Sequence, residues 1–91
     1  MTFSREQFLA HAKLNQETLQ IWIEEEWLAP TEDQAGPTFT EADLARAHLV
    51  HDLIEDLGVN PEGVGIVLRL VDQVHGLRRA LADLGLASRL K

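Results

Sequence analysis

The sequence predicts an all-α fold with only a minimal β element, in which four helices follow one another and the last is long. Three observations support this prediction. Helix-capping signals occur four times, a loop with two prolines lies near the middle, and apolar residues recur at helical spacing through the C-terminal third. The 91 residues suffice for one small domain, with or without an appended helix.

Four segments begin with a residue that can cap a helix, and each is followed by an apolar periodic pattern. Each cap is Ser, Thr or Asn, whose side-chain oxygen accepts a hydrogen bond from the backbone of the first turn. Two caps have a capping-box partner three residues later, and one precedes a proline, which is favoured as the first helical residue. The caps are Ser4, Asn15, Thr40 and Asn60, and the predicted helices span residues 5–12, 16–26, 41–57 and 61–84.

The connections between these helices predict a winged helix-turn-helix. Residues 13–15 alone separate the first two helices, which is the connection length of a helix-turn-helix. Residues 29–38 have the length of a small wing, and we expect short strands at the two ends of this loop. We assign residues 1–58 to the winged helix-turn-helix and residues 59–91 to a C-terminal helix with a tail that frays after Gly85, the whole forming one structural domain.

The C-terminal helix carries a coiled-coil pattern. Its apolar residues are separated by 3, 4, 3, 4 and 3 positions, so they form one seam along the helix. The predicted helix is about 36 Å long, which exceeds the diameter of a domain of this size. We expect a homodimer through this seam; packing of the helix onto its own domain is the alternative. The predicted dimerisation residues are Val67, Leu70, Val74, Leu77, Leu81 and Leu84.

The sequence carries no pattern typical of an enzyme or a metal site. It has no Cys and no Tyr, and its carboxylates fall mostly on polar helix faces. His48 and His51 share a helix face with Glu55 one turn further on, but a His-x-x-His pair without another fixed ligand indicates zinc only weakly. We therefore expect no catalytic residues, no metal and no cofactor.

The sequence also predicts a cytoplasmic protein that has no membrane partner. The longest strongly apolar run, residues 63–68, ends at Arg69 and is too short to span a bilayer. Glu6 is an acid at a position where a signal peptide is apolar. The absence of Cys agrees with a reducing compartment.

The charge distribution argues against a nucleic-acid partner. The net charge is −7, and residues 1–45 contain two basic and nine acidic residues. The second helix of a helix-turn-helix enters the major groove, and its affinity comes mostly from Lys and Arg on phosphates. Here the second helix opens with Gln16, contains no Lys or Arg and ends in Glu at residues 24–26, and the wing offers Glu32 and Asp33. We therefore expect no nucleic-acid binding.

Several short motifs occur in a recognisable order along the chain. Thr18 and Leu19 open the body of the second helix, Phe39 precedes the acid-rich start of the third, and residues 56–63 join the third helix to the fourth. This order, over about residues 3–84, resembles the MerR-type winged helix family and, within it, the CbpM-type chaperone modulators. Other positions that carry the resemblance are Ile23, Pro30, Ile66, Leu68, Leu70 and Asp72.

Three positions depart from the DNA-binding members that the chain resembles. Those proteins usually have Arg after the Thr-Leu pair, where this chain has Gln20. They usually have Arg two residues before the aromatic, where this chain has Pro37. A Gly usually ends their second helix, where this chain has Glu26. The first two departures remove phosphate contacts, which agrees with the charge argument.

The resemblance to the CbpM-type modulators implies a bacterial protein that binds the J-domain of a CbpA- or DnaJ-like co-chaperone and inhibits its action on DnaK. Because a J-domain presents a basic helix, an acidic surface is a plausible counterpart. Trp27 is open to two interpretations, as a core residue or as an apolar anchor in this site. The alternative functions are a MerR-like DNA-binding transcriptional regulator and an adaptor for another basic partner. The expected partner-binding residues are Glu24, Glu25, Glu26, Trp27, Glu32 and Asp33.

Overall fold

The computed structural model describes residues 1–85 of the chain. These residues fall into two compact units, the first covering residues 1–59 and the second beginning at Asn60. The predicted fraying concerns residues 86–91, which lie outside the described residues. The strands are β1 (Thr2–Ser4), β2 (Thr31–Asp33) and β3 (Gly36–Thr40), and the helices are α1 (Arg5–Ala12), α2 (Gln16–Glu24), α3 (Glu41–Glu55) and α4 (Pro61–Asp83).

All four predicted helix starts are confirmed at the predicted caps. The Ser4 hydroxyl accepts from the Gln7 backbone N–H at 3.2 Å, and the Gln7 side chain accepts from the Ser4 N–H at 2.9 Å. Thr40 and Asp43 form the same reciprocal capping box at the start of α3. Such caps satisfy N–H groups that have no partner within the helix. The Asn15 and Asn60 side chains cap α2 and α4 in the simpler way.

Three predicted helix ends differ from the observed ones. The prediction carried α2 to residue 26, but the helix ends at Glu24. It carried α3 to residue 57 and α4 to residue 84, and these helices end at Glu55 and Asp83. Gly58 follows α3 with a φ of 64°, a left-handed conformation that glycine adopts without steric cost.

The sheet has three antiparallel strands in the order β1-β3-β2. β2 and β3 form the wing hairpin expected in the proline-containing loop, and the Asp33 carboxylate accepts from the Ala35 N–H at 2.8 Å inside its turn. β1 was not predicted. It pairs Phe3 with Phe39, so the N-terminus joins the wing as its third strand. Three residues are too few to show an alternating pattern, and β1 depends on pairing with β3.

The core of the first unit is apolar and closely packed. Phe8 and Phe39 are completely buried, and their rings stack with centroids 4.3 Å apart. Leu19 from α2 and Val50 from α3 are also fully buried. Each fully buried side chain of this size contributes about 1.5–3 kcal/mol relative to exposure. This core sets the positions of the wing and of α2.

Within the described residues, the second unit consists mainly of the long helix α4. Val64 and Leu68 in its N-terminal half are buried, whereas Leu70, Val74 and Leu77 are exposed. Large apolar side chains of α4 are therefore in contact with solvent.

Candidate functional site

The chain reverses sharply after α2, at the point where the three consecutive glutamates lie. The Glu26 N–H donates to the Ile23 carbonyl at 3.0 Å, and the Trp27 N–H donates to the Trp22 carbonyl at 2.9 Å. This is the hydrogen-bond pattern of a Schellman motif, which requires a left-handed residue just after the helix. Glu26 is that residue, with a φ of 63°. The turn ends α2 two residues earlier than predicted.

Trp27 lies in the core, only 6% exposed. Its ring faces that of Trp22, with centroids 6.4 Å apart and an angle of 50° between the planes. This is the apolar contact that accompanies a Schellman motif. The Arg46 Nε donates a hydrogen bond to the Trp27 carbonyl, which ties the turn to α3. The interpretation of Trp27 as a surface anchor is therefore wrong, because the side chain has almost no exposed area to offer a partner.

The three glutamates at this turn are all exposed. The first unit contains three basic and twelve acidic residues, a net charge of −9. Negative charge at a helix C-terminus opposes the helix dipole and is unfavourable for the isolated helix. Glu24 accepts a 3.4 Å hydrogen bond from the Gln20 side chain one turn earlier. The turn therefore presents a concentration of carboxylates to solvent.

The other two acids of the expected site lie on a different element. Glu32 and Asp33 are exposed on β2, which is an edge strand. Glu32 lies six residues after Glu26, so the backbone positions of these two acids are at most about 20 Å apart. The Asp33 carboxylate is engaged in the hairpin turn, so Glu32 is the freer of the two acids to meet a partner.

The exposed apolar residue Ile21, on the outer face of α2, was not singled out from the sequence. Five exposed residues form one stripe on the side opposite the buried Leu19 and Trp22. A shallow surface depression of about 440 Å³, open to solvent, lies along this stripe, and Ile21 in its lining is 53% exposed. The sequence position of Ile21 could have indicated its exposure. Ile21 is two residues from Leu19, about 200° around a helix, and therefore falls outside the inward-facing stripe. The stripe residues are Gln16, Glu17, Gln20, Ile21 and Glu24.

Two further sequence expectations concern α3 and α4. The His51 Nδ1 atom lies 3.6 Å from the Asp52 carboxylate oxygen, and within residues 1–85 no group of three possible ligands is placed to hold a metal ion.

Along the predicted seam of α4, Val67 is partly exposed, and the other five residues are between 46% and 71% exposed. The five are Leu70, Val74, Leu77, Leu81 and Leu84.

The first unit defines a class of protein. Two helices joined by a tight turn, followed by a β hairpin and a third helix, form a winged helix-turn-helix. The model of one family, described as MerR HTH family regulatory protein, matches residues 3–85. The chain belongs to this MerR family.

Searches of curated proteins and of solved structures gave no significant match. In the part of the chain that the structure describes, no helix has the length and apolar character to cross a membrane.

Proposed function

We propose that this MerR-family protein is a chaperone modulator of the CbpM type, which binds the J-domain of a CbpA- or DnaJ-like co-chaperone and inhibits its action on DnaK. The observation that carries the proposal is the outer face of α2. In a DNA-binding helix-turn-helix this face meets the major groove. Here it bears Glu17 and Glu24, one exposed apolar residue, Ile21, and no Lys or Arg.

Charge separates this function from DNA binding. Each phosphate contact by Lys or Arg releases condensed counterions and supplies much of the affinity for DNA. A first unit of net charge −9 repels the phosphate backbone instead. The same charge attracts a basic helix, steers its approach and raises the association rate.

The exposed seam of α4 supports a homodimer as the working form. From Leu70 to Leu84 it presents five apolar side chains that are about half exposed or more. Contiguous apolar surface of this kind is typical of association sites. In the proposal, two copies pair through α4 and each carries one acidic α2 face.

A DNA-binding transcriptional regulator is the second candidate. The family description favours it, as do Gln16 and Gln20, whose side chains can read adenine from the start of α2. This function would need cations that the outer face of α2 lacks.

The deciding experiment measures J-domain binding and DNA binding with the same purified protein. We expect calorimetry with the J-domain of a CbpA-like protein to show saturable binding. We also expect the protein to suppress the stimulation of DnaK ATPase activity by the full-length co-chaperone. A DnaK reaction without co-chaperone controls for direct effects on DnaK.

Mobility shifts with promoter fragments should show no binding at physiological salt. Absence of J-domain binding, together with a sub-micromolar and salt-sensitive shift, would overturn the proposal in favour of the transcriptional regulator.

A further inference from the structure

We infer that the outer face of α2, centred on Ile21, is the docking groove for a basic amphipathic helix of the partner. This inference rests on the proposed function and gives it an apolar anchor in place of the buried Trp27. Ile21 is 53% exposed and, together with Gln16, Glu17 and Gln20, lines a shallow depression of about 440 Å³ that is open to solvent and is called the groove below.

The groove combines an apolar centre with an acidic rim. Glu17 lies one turn before Ile21 and Glu24 nearly one turn after it, so both carboxylates flank the same side chain. The hydrogen bond from Gln20 draws the Glu24 side chain along the face. A helix docks in such a groove by placing an apolar residue on the centre and polar residues on the rim.

The rim charge identifies the occupant. Glu17 and Glu24 can form ion pairs with Lys or Arg side chains of a partner helix. On an amphipathic partner helix, such cations lie three or four residues from an apolar anchor. The glutamates at the Schellman turn extend the negative surface beyond the end of the groove. The groove therefore fits a helix with a small apolar stripe bordered by cations.

The same charges disfavour the two other obvious occupants. Nucleic acid would bring phosphates against Glu17 and Glu24. A second copy of this face would oppose glutamates with glutamates, since a two-fold interface brings identical patches together. Like charges across an interface suppress the wrong partner.

The test compares variants at two exposed apolar positions of the first unit. Ile21→Ala and Ile21→Lys change the groove, while Leu57→Ala and Leu57→Lys change a side chain that is 69% exposed after α3. Affinity is measured by calorimetry with the J-domain. It is also measured with a synthetic helical peptide bearing Lys and Leu on adjacent stripes, and with a scrambled peptide of the same composition.

We expect Ile21→Ala to weaken J-domain binding about fivefold, because about half of the Ile21 side chain is exposed in the free protein and would be buried by the partner. Ile21→Lys should weaken it about a hundredfold, since it also adds a cation facing the basic helix. The Leu57 variants should bind as the wild type does. Circular dichroism and sedimentation check that every variant remains folded and keeps its oligomeric state.

Each outcome decides a separate point. If the J-domain binds Ile21→Lys as tightly as wild type, the groove assignment is overturned and the proposed function stands. A second outcome is that the wild type fails to bind the J-domain but binds the peptide, with NMR shift changes at Gln20 and Ile21 that the scrambled peptide does not cause. In that case the groove assignment is retained and the proposed function is overturned. Binding of neither probe overturns both, and loss of the dimer in Ile21→Lys overturns the groove by assigning the face to a second copy.

Discussion

Replacing Glu26 with glycine should stabilise the protein. Glu26 holds a φ of 63°, and a left-handed conformation costs a residue with a Cβ about 1–2 kcal/mol. Glycine avoids that cost, but its greater freedom in the unfolded chain lowers the free energy of unfolding by about 0.4–1 kcal/mol. The two Schellman hydrogen bonds are made by backbone groups and remain in the variant. The net expectation for Glu26→Gly is a gain of about 1 kcal/mol in the free energy of unfolding.

Thermal denaturation followed by circular dichroism measures this gain. A change of 1 kcal/mol shifts the Tm of a domain of 60–100 residues by about 4–8 °C. Protein concentration must be held constant, because the Tm of any protein that self-associates depends on it. We expect Glu26→Gly to melt about 4–8 °C above the wild type.

Two control variants isolate the backbone effect. Glu25→Gly removes a carboxylate at a residue with an ordinary φ of −77°, and should lower stability by about 0.5–1 kcal/mol. Glu26→Ala removes the charge but keeps a Cβ in the left-handed conformation. If Glu26→Gly melts no higher than Glu26→Ala, the conformational reasoning is refuted and any gain comes from charge alone.

The remaining predictions concern the dimer, the partner site and the core. Leu77→Asp places a charge in the seam of α4, so sedimentation should detect a monomer; an unchanged mass would contradict a dimer through this seam. Replacing residues 24–26 with Lys should weaken J-domain binding by several kcal/mol while the Tm holds or rises, because a helix C-terminus favours cations. Wild-type association should slow as salt increases, since exposed charges are screened over about 8 Å at 0.15 M, and a salt-independent rate would argue against steering. Phe8→Ala should cost about 3–5 kcal/mol in urea denaturation, because it empties space against Phe39.

The wing illustrates how far sequence patterns reach in this protein. Two prolines and a glycine predicted the β2–β3 hairpin, because these residues favour turns wherever they occur. The third strand was missed, because Phe3 becomes part of a strand only through its pairing with Phe39, 36 residues further along the chain. Pairing of this kind carries no signal in a three-residue segment.

The exposed surface around the end of α2 was only partly predictable for a related reason. The exposed glutamates at residues 24–26 were recognised, because charged residues are rarely buried without a partner. Trp27 was interpreted either as a core residue or as an anchor in the partner site, and it lies in the core, whereas Ile21 was overlooked and lies exposed. Hydrophobicity alone does not separate the two, because both are large apolar residues within six positions of each other.

The sequence by itself determined the helix starts, the connection lengths and the charge of each segment. The caps act between residues three positions apart, so the starts of the helices at Ser4, Asn15, Thr40 and Asn60 are encoded locally. Only the tertiary structure decided which apolar side chains reach solvent. The left-handed turn at Glu26 directs Trp27 against Trp22, and the packing of Leu19 on the inner side of α2 leaves Ile21 outside. Burial depends on which elements meet, and a local pattern cannot contain that information.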